Sequence, residues 1–251
     1  MSPKERIMLI ILACLNFTHI LDFMIMMPLG NFLMPHFQIS AQYFSLIVAA
    51  YPVTAFVSGL VAAFFVDYYD RKQVLLFAYS GFLIGTLFCG VAPGPGILMA
   101  ARIITGFFGG LISAQVLSII ADIFPYEKRG RAMSAVFMAF SAASILGIPI
   151  SLYLAAIFSW HAPFILIGVL GIVLIPLIVK YFPPINGHLE NRDLKVKRPG
   201  VFQVIKTIFT NKSQVLALSL TGTLMLGHFM IIPFINPYLE FNMGFSKEQT
   251  P

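Results

Sequence analysis

Charged side chains are scarce in this chain. They make up 10% of its 251 residues, against about a quarter in an ordinary soluble domain, and that shortage excludes a water-facing surface over most of the fold. Cysteine is nearly absent: Cys14 and Cys89 are the whole supply, and both lie inside apolar stretches. Two are too few for a disulfide framework, and neither supports a metal site. No nucleophile, metal-ligand or paired-carboxylate constellation stands out, so an enzyme is not expected, nor are catalytic residues, a cofactor or a bound metal. The net charge of +6 could suggest nucleic acid, but the basic residues sit in short clusters between apolar runs, and no nucleic-acid partner is expected.

What is present is apolar and comes in long blocks. Hydrophobic residues make up 59% of the chain, and a membrane-spanning helix needs about 20 of them in a row. Such stretches occur at 7–33, 43–66, 74–92, 97–121, 133–157, 161–182 and 214–239. The fold class is therefore an all-α membrane protein with a lipid bilayer as its solvent. The opening Met1-Ser2-Pro3-Lys4-Glu5-Arg6 leads into an apolar run without a small-residue cleavage site, and reads as a first transmembrane helix rather than a signal peptide. Short punctuating segments separate the spans: His36 to Gln38, Asp67 to Lys72, Pro93 to Gly96, Glu127 to Arg131 and the turn around Trp160. One connection is long, from Lys180 to Lys212. The expected organisation is a six-helix bundle over 1–182, a cytoplasmic loop over 183–212 and a seventh span in 213–251.

Lysine and arginine give the orientation, because basic loops are retained on the cytoplasmic side. With a cytoplasmic N-terminus, the inner segments hold Lys4, Arg6, Arg71, Lys72, Lys128, Arg129, Arg131, Lys180, Arg192, Lys195, Lys197, Arg198, Lys206 and Lys212. Only Lys247 falls outside, and Arg102 lies within a span. In the long loop, Val201, Val204, Ile205, Ile208 and Phe209 recur at helical spacing opposite Gln203, Lys206, Thr207 and Thr210. Two readings stand: an amphipathic helix on the inner leaflet, or a helical entry into the seventh span.

An ionisable group in hydrocarbon costs about 2.5 to 3.5 kcal/mol on insertion scales, so it survives where it faces a cavity or a partner. Asp22 lies mid-span, with Asn16 and His19 near the same helical face. It reads either as a carboxylate that binds a proton or cationic substrate, or as a structural hydrogen bond between helices; His19 taken singly reads as packing. Arg102 precedes Gly106, Gly109, Gly110 and Ser113 at helical spacing, a small-residue face that lets two helices approach closely. It can point inward, or snorkel to the headgroups from near a helix end. Gly147-Ile148-Pro149 interrupts the fifth span, where proline removes a donor and kinks a helix. His228 and Pro233 in the seventh span read as packing.

Several short patterns, in order along the chain, resemble those of the major facilitator superfamily. Asp67, Arg71 and Lys72 match its loop signature between spans two and three, with Asp70 standing where the family has glycine and Ala63 where it usually has another. Arg102 with Gly106 and Gly110 looks like its fourth-helix pattern. Gly147-Ile148-Pro149-Ile150-Ser151 is similar to the antiporter motif of drug–proton exchangers, with Ser151 in place of the last glycine. Ser159-Trp160-His161-Ala162-Pro163-Phe164 resembles the turn before the sixth helix, and Asp122-Ile123-Phe124-Pro125 before Arg129-Gly130-Arg131 agrees as well. Gly227-His228-Phe229 through Asn236-Pro237-Tyr238-Leu239 looks like the sugar and drug efflux branch.

The resemblance implies alternating access in a bacterial inner membrane, with protons and a small-molecule substrate as partners. It implies Asp22 as the membrane-embedded acid, Arg102 as the charge that modulates it or relays protons, and His19 and Asn16 beside them in the cavity. Asp67, Arg71, Lys72 and Asp122 are then the cytoplasmic gating charges, and Gly147 with Pro149 the antiporter-like kink. Family members have about twelve spans in two halves, so the chain is expected to be truncated, with a missing C-terminal half as its partner. Efflux of a drug or sugar leads; an uptake permease of the same fold and a non-transporting truncated protein are the alternatives.

Overall fold

The computed structural model describes residues 1–186 and 201–244. Among them the chain is all helix and turn, with no strand. Six helical segments among the described residues are long and apolar enough to cross a membrane: Pro3–Ile25, Ala41–Ala62, Arg71–Gly90, Pro95–Ile123, Tyr126–Ile157 and Ala162–Tyr181.

Helix α1 (Pro3–Ile25) begins at a reciprocal cap: Ser2 Oγ accepts the Glu5 N–H at 3.1 Å and Glu5 Oε2 accepts the Ser2 N–H at 2.8 Å. The apolar run expected to continue to residue 33 instead breaks, and α2 (Gly30–Phe37) follows as a separate short helix. The reason is Pro28, which has no N–H to donate to the preceding turn. The chain turns through Gly30 N–H to Met27 O at 3.1 Å before resuming. Hydropathy carries through this turn unchanged and so hides it. Gln38, left-handed at φ 52°, ends α2.

Helix α3 (Ala41–Phe65) leads through a 3-10 turn (Val66–Tyr68) to α4 (Arg71–Gly90), then α5 (Pro95–Ile123). Helix α6 (Tyr126–Ala142) already contains Glu127 to Arg131, which the sequence reading placed between spans. Glu127 lies in its first turn, where a carboxylate complements the helix dipole. Arg129 folds back on the end of α5, donating to the carbonyls of Phe124 at 3.0 Å and Ala121 at 2.7 Å. At Ala143–Gly147 the fifth span widens into a π turn before α7 (Ile148–Ile157), with Ile148 N–H reaching Ala143 O. The wider turn falls immediately ahead of Pro149, whose missing donor it accommodates. Helix α8 (Ala162–Tyr181) completes the set.

The principal packed pairs are α3 with α5, α4 with α5, α1 with α6, and α8 with both α4 and α1. At Gly106 and Gly110 of α5 the α3 backbone comes so close that an added Cβ would collide with the carbonyls of Tyr51 and Ala55. The interior holds two hydrophobic clusters. One contains Leu12, Leu15, Tyr79, Phe82, Ile112 and Phe124; the other contains Leu21, Ile25, Leu33, Leu98, Trp160 and Phe164. The outer surface is apolar too, with Phe56, Phe77, Ile84 and Ile172 all more than half exposed. Such a surface is suited to lipid and not to water.

The chain divides into two compact units, Met1–Arg192 and Asp193–Pro251. The second contains α9 (Val201–Thr210) and α10 (Lys212–Phe241), with Asn211 Oδ1 capping α10 through the N–H groups of Ser213 and Gln214. The expected seventh span falls within this 30-residue helix. On α9, Gln203 and Lys206 are exposed; the side chains of Val201, Val204, Ile205, His228 and Pro233 lie outside the described set, as do Arg192, Lys195, Lys197, Arg198 and Lys247.

Candidate functional site

Polar side chains gather where the two hydrophobic clusters meet. On α1 the first cluster runs to Leu15 and the second begins at Leu21, with Asn16, Thr18 and His19 between. On α4, Thr86 falls between Leu83 and Cys89; on α5, Arg102 and Thr105 fall between Ala101 and Leu111. A buried polar layer thus crosses the middle of the bundle.

At its centre Arg102 Nη1 donates to Asp22 Oδ2 at 2.6 Å and to the Asp22 carbonyl at 3.3 Å. Both side chains are 0% exposed. Thr86 Oγ1 donates to the other carboxylate oxygen, Oδ1, at 3.1 Å. The Tyr51 ring lies 4.5 Å from Arg102 Cζ, a cation–π contact from α3. Arg102 therefore does not snorkel: α5 starts at Pro95, placing Arg102 past its first turn, and a buried carboxylate holds it inward. Its Nε and Nη2 have no hydrogen-bond partner among the described residues, so the guanidinium retains donor capacity.

Beside this pair lies a cavity of about 230 Å³ lined by His19, Ile20, Phe23, Tyr51, Pro52, Ala55, Ser113 and Phe140. The His19 ring sits 6.1 Å from that of Tyr51, and Phe23 5.4 Å from Tyr51. His19 Nδ1 and the Tyr51 hydroxyl are buried without partners among the described residues. Asn16 is not brought to this group: its amide donates to the Val136 carbonyl of α6 at 3.1 Å, a bond between helices. Gly147 packs on Leu21 of α1 and so lies behind the carboxylate's own helix.

A second cluster forms where α3, α4 and α5 end or begin. Arg71, first residue of α4, places Nη2 2.8 Å from Asp67 Oδ1 and Nε 3.0 Å from Asp122 Oδ2. Lys72 is not in that cluster; its Nζ donates to the Val179 carbonyl near the end of α8, at 2.8 Å.

Thr86 and Tyr51 escaped the sequence reading. A hydroxyl or a tyrosine in an apolar span carries no signal of its own, and the partners lie 64 residues from Asp22 in the one case and on α3 in the other. Among the described residues, no group of three His, Cys, Asp or Glu side chains could hold a metal.

Comparison with known proteins agrees with this architecture. Over 170 residues the chain is 32% identical to Multidrug resistance protein 3 of Bacillus subtilis (strain 168), covering 67% of this chain and 32% of that protein. Over 228 residues it is 23% identical to the uncharacterized MFS-type transporter YceJ of the same organism, covering 91% of this chain and 57% of that one. The chain thus spans between 32% and 57% of the length of these relatives. A solved bacterial homolog of the human lysosomal transporter Spinster, inward-facing and unoccupied, matches with a TM-score of 0.74 at 19% identity, covering 98% of this chain and 57% of that one. A peptide transporter, POT, matches with a TM-score of 0.64 at 15% identity over 96% of this chain and 53% of its own. At such identities these structures establish the fold alone. The sequence profile of the Major Facilitator Superfamily matches residues 12–251, and with the helical bundle above it this chain belongs to that superfamily of multi-pass membrane proteins.

Proposed function

We propose that this protein exports a small molecule, a drug or a sugar, in exchange for protons, by alternating access across a bacterial inner membrane with its N-terminus in the cytoplasm. The observation that carries this reading is the fully buried Asp22–Arg102 pair beside an aromatic cavity. Protonating Asp22 removes the charge that holds Arg102, so the state of one proton acts on the cation packed against Tyr51, a residue of the cavity lining. Only a group whose protonation differs between two conformations can couple a gradient to movement.

His19, which lines the cavity and whose Nδ1 is without a partner among the described residues, is the group through which a proton or polar substrate atom meets this pair. The Arg71 bridge to Asp67 and Asp122 fastens the ends of α3, α4 and α5 on the cytoplasmic side in one state and releases them in the other. Gly147 and the π turn before Pro149 give the fifth span a place to bend. The movement is a rocking of the six-helix unit against a second helical bundle. The name of Multidrug resistance protein 3 supports a drug-like substrate, and the basic residues of the expected inner loops support the orientation.

The test is dye accumulation in everted membrane vesicles carrying the protein. An imposed acid interior is expected to drive uptake of a fluorescent cationic dye, and Asp22→Asn to abolish it. Equal uptake by Asp22→Asn and the parent sinks the proton role.

A further inference from the structure

Where the superfamily pattern has glycine, this chain has Asp70, and its two carboxylate oxygens do separate things. Oδ1 accepts the N–H groups of Lys72 at 2.7 Å and Gln73 at 3.2 Å, capping α4. Oδ2 accepts the N–H of Ile185 at 2.9 Å, from the segment that leaves α8. Arg71 returns the contact, its N–H directed at the Ile185 carbonyl at 3.5 Å. Lys72 binds the Val179 carbonyl upstream of the same segment.

That segment, Phe182-Pro183-Pro184-Ile185-Asn186, is held at both its apolar residues: Phe182 is 2% exposed and Ile185 8%, both within the first hydrophobic cluster. Two consecutive prolines between them fix φ and stiffen the span. Arg71 is thus the meeting point of two attachments, its backbone on Ile185 and its guanidinium on Asp67 and Asp122.

We propose that Asp70 is a positioning residue that fastens the segment leaving α8 to the Arg71 charge cluster, so that the cluster cannot open without displacing residues 182–186. This rests on the gating role given to the cluster above. Glycine at this position supplies neither the cap nor the acceptor, so the substitution of aspartate makes the exit of the bundle part of the gate.

Asp70→Asn separates the two oxygens' work. Its carbonyl oxygen still caps α4, since asparagine caps as well as aspartate, but its amide nitrogen cannot accept the Ile185 N–H. Hydrogen exchange on the whole protein in lipid nanodiscs is the measurement. Asp70→Asn is expected to speed exchange at Ile185 about tenfold, the loss of one charge-assisted bond, while the first turn of α4 keeps the parent rate. Asp122→Asn, which touches Arg71 only through its guanidinium, is expected to speed Ile185 exchange as well. A parental rate at Ile185 in either variant overturns the proposal. Exchange is read without substrate, so this result stands even if no dye is transported. Where dye is transported, Asp70→Asn lowers the maximal rate at unchanged KM, because Asp70 does not line the cavity; an unchanged maximal rate overturns the coupling.

Discussion

Arg102 on α5 aims one guanidinium nitrogen at the Asp22 carboxylate of α1 from 2.6 Å, with water excluded from both side chains. Removing one member of such a pair leaves a charge stranded in the interior, which costs about 3 to 5 kcal/mol. Arg102→Met is therefore expected to lower the thermal midpoint strongly. The double replacement Asp22→Leu with Arg102→Met restores much of it, since apolar groups of similar volume often substitute for a buried pair, yet transports nothing. Thermal unfolding in detergent beside vesicle uptake checks both; a double variant as unstable as the single one refutes the account.

Tyr51 presents its ring to Arg102 while its hydroxyl bonds to nothing among the described residues. Tyr51→Phe keeps the ring and is expected to match the parent in stability. Tyr51→Leu loses the cation–π contact and falls by about 1 to 2 kcal/mol. Unfolding curves that rank the two the other way count against the contact.

Gly110 and Gly59 should respond oppositely to alanine. A Cβ at Gly110 meets the Ala55 carbonyl and the Ser58 hydroxyl, whereas at Gly59 nothing lies within 4 Å. Gly110→Ala is expected to cost about 1 to 3 kcal/mol by overpacking. Gly59→Ala is expected to be neutral or stabilising by up to about 1 kcal/mol through helix propensity. Equal melting temperatures for the two would contradict the close α3–α5 contact.

Arg71 should matter more to movement than to folding. Its partners are partly exposed, Asp67 at 41% and Asp122 at 28%, and ion pairs at such positions contribute about 0 to 1 kcal/mol. Arg71→Gln is expected to melt close to the parent while dye uptake falls several-fold. A large loss of stability with normal uptake would remove the gating role.

The span pattern was legible because lipid demands long apolar runs, whatever the tertiary arrangement. Four of the six spans fall within a few residues of their expected places. The first departs at its end because the turn at Pro28 is built from residues as apolar as those around it. The start of the fifth departs because helix α6 extends through the charged residues Glu127 to Arg131, beyond where hydropathy registers it. In the site, Asp22 and Arg102 stood out singly as charges in oil, but their pairing did not. Asn16 shares a helical face with Asp22 and still turns to a different neighbour, the Val136 carbonyl, since α6 packs against α1 at that level. Lys72, grouped with Arg71 by adjacency, points instead to α8, because successive residues on a helix face about 100° apart.

From its order of residues alone this chain is committed to a bilayer, to helices of a given length and to a few costly ionic groups within them, because hydration and backbone hydrogen bonding act locally along the chain. Which of those groups touch was decided by the fold: α1, α4 and α5 bring Asp22, Thr86 and Arg102 within hydrogen-bond reach across 80 residues of sequence. Contact between side chains so far apart in sequence depends on how helices pack, and packing is a property of surfaces that meet only once the chain has folded.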